Sequence, residues 1–220
     1  MKQEHLALYL ISFGFLFLFG CANQNKETKE TPLPFYNSAD FTPEWVNKED
    51  EQFSQIHTIA DFNFENQSGN MINNESLAGK IYVADFFFTI CPSICPKMTS
   101  NLEKIQAEFI NDESVMLVSH TVMPWVDSVS VLKTYAEMHG IDNSKWHLLT
   151  GNMEKIYQLA RQSYFAEKEI GLDRDSDEFL HTENFILVDG LGRIRGVYNG
   201  TIPLEMTRLI ADIKTLKQLG

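Results

Sequence analysis

The stretch IYVADFFFTICPSICPK, residues 81–97, constrains the fold more than any other part of the chain. Residues 81–90 are nearly all apolar and rich in β-branched and aromatic side chains, as in a strand buried on both faces. The run passes directly into Cys91-Pro92-Ser93-Ile94-Cys95-Pro96, after which Met98, Leu102, Ile105 and Phe109 recur at helical spacing. A doubly buried strand, a short loop and an amphipathic helix form the start of a β–α unit, so a largely parallel sheet with covering helices is expected. Both cysteines precede a proline, which pushes each away from helical backbone, while Pro96 suits a first helical position. The spacing therefore predicts Cys91 at the strand end, Cys95 as N-cap and the helix from Pro96.

The same reading continues along the chain. Residues 61–79 predict a short hairpin turning at Ser68-Gly69-Asn70. A second strand is expected over 115–122, a helix over 128–140 stopped by Gly140, and a helix over 152–165 capped by Asn152. A hairpin follows, with strands over 184–188 and 193–198 around the turn at 189–192, and a last helix opens at Pro203. Parallel β–α units closed by an antiparallel hairpin and a helix predict an α/β, thioredoxin-like fold: a central mixed sheet flanked by helices, with an N-terminal β-hairpin extension.

The N-terminus reads differently. Residues 6–19 form an apolar run of the length of a signal-peptide core, shorter than a typical membrane span. It ends at LFGC, residues 18–21, which resembles a bacterial lipobox. The expected organisation is a lipoprotein-type signal peptide over 1–20 and a lipid-anchored flexible linker over 21–55 with Cys21 as the lipidated residue. A thioredoxin-like domain follows over 56–220. An uncleaved anchor is the alternative. Both place the domain outside the cytoplasm, on the periplasmic side of a bacterial membrane, where disulfides persist. A lipidated Cys21 leaves Cys91 and Cys95 only each other as disulfide partners. A formal net charge of −12, with no basic patch interleaved with aromatics, argues against nucleic acid as a partner.

At a helix N-terminus the dipole and free N–H groups favour anionic sulfur. Thiolates serve redox exchange or soft-metal binding, and the spacing of Cys91 and Cys95 alone does not choose between them. A metal would need further ligands. His57 reads as a surface residue, His139 as a C-terminal helix charge, and His147 as structural beside Trp146. His120 lies late in a predicted strand. His181 stands just before the strand over 184–188, in a loop that nears the cysteine loop in thioredoxin-like folds, so topology favours it.

The motifs FFFTICPSICP and LHTENFILVDGLGRIRG, supported by DSVSVLKTYAEMHG and WHLLTG, resemble the Sco/SenC family of copper-binding assembly proteins over residues 57–219. The resemblance implies one copper per chain, Cu(I) or Cu(II), held by Cys91, Cys95 and His181. It also implies a role in assembling the copper centre of a terminal cytochrome c oxidase. The implied partners are the copper-bearing oxidase subunit, other copper chaperones or thiol reductants, and the membrane through the lipid anchor. One departure is visible: Met123-Pro124 stands where the family often has Asp-Pro, whereas Asp127 is kept. A thioether role for Met123 competes with its use as packing filler. The alternative function is a thiol–disulfide oxidoreductase in which Cys91 and Cys95 are catalytic. An inert disulfide is disfavoured, because closing so short a loop removes little chain entropy.

Overall fold

The computed structural model describes residues 33–166 and 182–219. Cys21, the apolar run before it, the first part of the expected linker and His181 lie outside the described residues. Nine strands and five α-helices occur among the described residues. Seven strands form one sheet in the order β4-β3-β7-β6-β5-β8-β9. These are β3 (Asn63–Asn66), β4 (Met71–Asn73), β5 (Ile81–Phe87), β6 (Val115–Thr121), β7 (Trp146–Thr150), β8 (Asn184–Val188) and β9 (Ile194–Asn199). The centre, β5-β6-β7, is parallel, and β3, β4, β8 and β9 add antiparallel flanks. This is the expected mixed sheet with its N-terminal hairpin, whose turn carries Gly69 at φ 79°. Such a conformation suits a residue without Cβ.

Every residue of β5 and β6 is buried, which explains their largely apolar sequences; the buried polar exceptions are Asp85, Ser119, His120 and Thr121. Alternation divides them between two cores. Tyr82, Ala84 and Phe86 face a cluster completed by Ile156, Tyr157, Ala160 and Tyr164. Val83 and Phe87 face the other, built with α2 (Cys95–Glu108), α3 (Val129–Met138) and α5 (Pro203–Leu219). Helix α2 contributes Met98, Leu102 and Ile105, the residues whose spacing predicts it. A short α1 (Asn74–Leu77) follows the hairpin behind a reciprocal Asn73–Ser76 cap. No described helix is long and apolar enough to cross a membrane.

Three differences from the expected elements stand out. Residues 146–150 form β7, which the sequence pattern does not reveal. The helix expected over 152–165 is α4 (Met153–Gln158) followed by a wide π-turn, Leu159–Ser163, that seats the Tyr164 hydroxyl 3.1 Å from that of Tyr82. Residues 33–55, expected to be flexible linker with a short ordered patch around residues 41–46, are ordered over a longer stretch, as a folded strap. Its β1 (Phe35–Tyr36) and β2 (Pro43–Glu44) pair antiparallel. Arg195 of β9 donates to the carbonyls of Pro34 (3.0 Å) and Leu33 (2.5 Å), and its guanidinium lies 4.0 Å from the Phe35 ring centroid. Phe41 and Phe165 both take left-handed backbone, rare for bulky residues, and their rings meet edge to face. Buried aromatic area and a paired guanidinium hold down a segment whose polar composition reads as tether.

Candidate metal centre

Strand β5 ends at Phe87, and the chain turns through residues 88–94 into α2. Cys91 is half-buried in this loop and Cys95 is 4% exposed; both are free thiols. Cys95 occupies the first position of α2, which starts one residue earlier than expected, with Ile94 as N-cap in helical backbone. Ile94 has no side-chain cap, Pro96 has no N–H, and the Lys97 and Met98 N–H groups donate to the Ile94 carbonyl, so in the first turn the Cys95 N–H is left for another acceptor. The Cys91 sulfur takes that place.

The two thiols differ in acidity. Burial pushes the Cys91 thiol up, but a hydrogen bond from Cys95 and the N–H groups of Cys95, Ser93 and Ile94 outweigh it and hold Cys91 below the ordinary thiol value. Burial pushes Cys95 up to about 12, aided by its hydrogen bond to Cys91. The site therefore presents an accessible, thiolate-prone Cys91 backed by a buried, protonated Cys95. Such a pair suits a nucleophile with a resolving partner, or two donors for a soft metal once Cys95 loses its proton.

Three further groups surround it, of which the sequence marks only Asp127, the acid kept from the family pattern. Asp85, 2% exposed, has its carboxyl pushed up to about 7 by burial, against a hydrogen bond from Ser119, which in turn accepts the Trp146 indole N–H. Tyr135 hydrogen-bonds Thr99 of α2 at 2.7 Å. Asp127 accepts hydrogen bonds from Thr89 and Thr121. A buried acid in an apolar run was the available signal for Asp85. The other two depend on contacts between elements distant in sequence.

The histidines separate clearly. His120 lies fully buried on the opposite face of the sheet from Cys95, caged by Phe62, Phe64, Phe86 and Tyr164. Met123 packs against that same far cluster. His139 is the C-cap of α3, stacked on Tyr135 with Nδ1 3.3 Å from Glu103. His147 meets the Asn66 amide at 3.3 Å. His57, expected on the surface, is instead half-buried, with Nε2 2.7 Å from the Ser163 carbonyl and its ring on Phe165. His181 lies outside the described residues, but the chain that follows it is placed. Strand β8 runs antiparallel to β5, with Tyr82 opposite Val188 and Ala84 opposite Ile186, so β8 begins at the sheet end where β5 hands over to the cysteine loop. Glu183 is fastened there: its carbonyl accepts the Gly200 N–H, and the Gly200 carbonyl accepts Asn101 of α2. Among the described residues no three His, Cys, Asp or Glu side chains converge as a metal cluster. The two thiols fit a soft metal as a donor pair that needs a further ligand.

Known proteins resemble this chain in sequence and fold. The chain is similar to the SCO1 protein homolog of Bacillus subtilis, 29% identical over 214 residues, covering 95% of this chain and 96% of that one. Among solved structures it is similar to a SCO1/SenC family lipoprotein from Bacillus anthracis, at 29% identity and a TM-score of 0.64, covering 78% of this chain and 99% of that one. It is also similar to BsSco, a member of the Sco family of cytochrome c oxidase assembly proteins in which a disulfide switch is identified. There the identity is 30% and the TM-score 0.63, over 75% of this chain and 96% of that one. Copper-bound ScoI of Bradyrhizobium japonicum shares the fold at 24% identity and a TM-score of 0.57, over 72% of this chain and 99% of that one. The SCO1/SenC family profile matches residues 50–218, well over half of the sequence, and the chain belongs to the SCO1/SenC family.

Proposed function

We propose that this protein is a membrane-anchored, extracytoplasmic copper chaperone that assists assembly of the copper centre of a terminal cytochrome c oxidase. The observation that carries the reading is the pair of free thiols of unequal acidity at the α2 N-terminus, at the sheet end where β8 begins. Cys91 and Cys95 would supply two thiolates, and His181, next in sequence before the described start of that segment, the imidazole. Copper is the cargo. Two sulfurs suit Cu(I), and the nitrogen extends the site to Cu(II). The copper-bearing oxidase subunit is the proposed recipient, with other chaperones or thiol reductants keeping the pair loaded or reduced. Lipidation of Cys21 would anchor the chain about a dozen residues before the strap.

Copper titration of the reduced chain tests the ligand set. One copper per chain is expected, with binding lost in Cys91→Ala, Cys95→Ala and His181→Ala. Full affinity of His181→Ala for both oxidation states would remove the imidazole from the set. Mass analysis of membrane-extracted protein tests the anchor: Cys21→Ser is expected to lose the lipid mass and the membrane association.

The unequal acidity of the thiols also favours a second reading, a thiol–disulfide oxidoreductase. The Cys91 thiolate would attack a substrate disulfide and release one substrate thiolate. Cys95, losing its proton, would then attack Cys91 and release the other, leaving an oxidised pair and a reduced substrate. Rapid reduction of a disulfide substrate by protein that takes up no copper would establish this reading over the first.

A further inference from the structure

Asp127 is a fully buried acid two residues short of α3, and its carboxylate is committed to two hydroxyls and an amide. Oδ1 accepts the Thr89 hydroxyl at 2.5 Å; Oδ2 accepts the Thr89 N–H at 3.2 Å and the Thr121 hydroxyl. Among the described residues no cation pairs with it. A carboxylate taken out of water without a cation is expensive to keep and needs all its hydrogen bonds. It is not needed to cap α3, since Ser128 already accepts the Val131 N–H. What it holds is Thr89, two residues before Cys91, where the chain has left β5 and is no longer fixed by the sheet. Thr121 is the last residue of β6, opposite Phe87 in the parallel register, and the Val122 N–H donates to the Phe87 carbonyl at 2.9 Å. The carboxylate thus bolts the first free residues after β5 to the last residue of the neighbouring strand.

We propose that Asp127 is the positioning residue of the thiol site, setting where Cys91 stands relative to Cys95 by clamping Thr89. This inference rests on Cys91 and Cys95 being the working pair. It also gives the retained family acid a role through Thr89 instead of through the metal, since both carboxylate oxygens are already engaged. Groups that orient donors from behind commonly change metal affinity by about ten- to hundred-fold when removed.

The test uses the reduced full-length chain in detergent and two readouts: Cu(I) affinity by chelator competition, and the Cys91–Cys95 disulfide equilibrium with glutathione. Asp127→Asn is expected to weaken Cu(I) by on the order of ten-fold or more and to displace the disulfide equilibrium several-fold. Thr89→Val should move both in the same direction by less, because its N–H remains. Ser163→Ala, which loses the hydrogen bond from the Ala60 N–H elsewhere in the fold, controls for lost stability and should leave both readouts unchanged. The inference is overturned if Asp127→Asn matches the parent in both readouts, or if Ser163→Ala shifts them as much at equal loss of Tm. Loss of copper in Asp127→Asn with full retention in Thr89→Val would make Asp127 a ligand and also overturn it. A parent chain that binds no copper would sink the chaperone reading, and the disulfide equilibrium would still decide the clamp.

Discussion

At the scale of single residues, the molecule separates chemistry from packing by the face of one sheet. Cys91 and Cys95 sit at the N-terminus of α2, and the acidity difference between them predicts selective modification. At neutral pH iodoacetamide should alkylate Cys91 well before Cys95, because Cys91 is held below its usual value and Cys95 is pushed up to about 12. Equal rates, measured by peptide mass analysis, would contradict the asymmetry. On the other face, both ring nitrogens of His120 are buried without a hydrogen-bond partner among the described residues. Burial pushes His120 down to about 3, and His147 down to about 4. The unfolded chain therefore binds these protons first as pH falls below about 6.5, so both groups destabilise the fold in acid. Asp85, pushed up to about 7, has the opposite sign: the fold takes up its proton between pH 7 and the normal carboxylate range, which stabilises it there. His120→Phe should keep the aromatic cage, raise stability at pH 7 by about 1 kcal/mol, and flatten the loss between pH 6.5 and 4. Urea unfolding of both proteins at those pH values checks this; parallel pH profiles would refute it.

At the scale of elements, α2 is the part around which the candidate site is organised. Its N-terminus supplies Cys95 and the amides facing Cys91, and its middle supplies Asn101, whose side-chain amide reaches the Gly200 carbonyl at 2.8 Å. That contact couples α2 to the β9–α5 junction and, through the Gly200 N–H, to Glu183 at the entry to β8. Asn101→Ala leaves the Gly200 carbonyl without this donor and should cost about 1–3 kcal/mol. It should also loosen the segment bearing His181, read as faster amide exchange at residues 183–185; unchanged exchange there would separate α2 from β8. The elements also show how legibility varied. Strands β5 and β6 announce themselves because burial on both faces favours apolar residues over most of their length. Strand β7 has only five residues, WHLLT, with no alternation. Its strand character comes from pairing with β6 on one side and β3 on the other. The clamp from Asp127 to Thr89 was illegible for a similar reason: its donors lie 6 and 38 residues away, and no spacing rule joins them.

At the scale of the whole molecule, the strap decides at which end of the sheet the N-terminal segment joins the domain. Arg195 follows Ile194, which pairs with Val188, itself opposite Tyr82 near the start of β5. The strap is thus pinned at the sheet end away from Cys91, roughly 20 Å off at about 3.3 Å per strand residue. Arg195→Ala removes the donor to Leu33 and Pro34 while Arg193 still pairs with Asp189 at 2.8 Å. It should lower stability by about 2 kcal/mol and open residues 33–55 to limited proteolysis without changing copper affinity. Continued protection of that segment would show that the aromatic contacts alone suffice. Residues 81–109 determined by themselves a doubly buried strand, a cysteine-bearing turn and an amphipathic helix, because local backbone limits and apolar periodicity act within about one turn or one pleat. The tertiary structure alone decided which thiol is accessible, which histidine is walled off, and which acid holds the loop. It also decided that a polar leader folds back as a strap. Each of these depends on desolvation and hydrogen bonds between groups far apart in sequence, energies that exist only once the sheet and helices have closed around them.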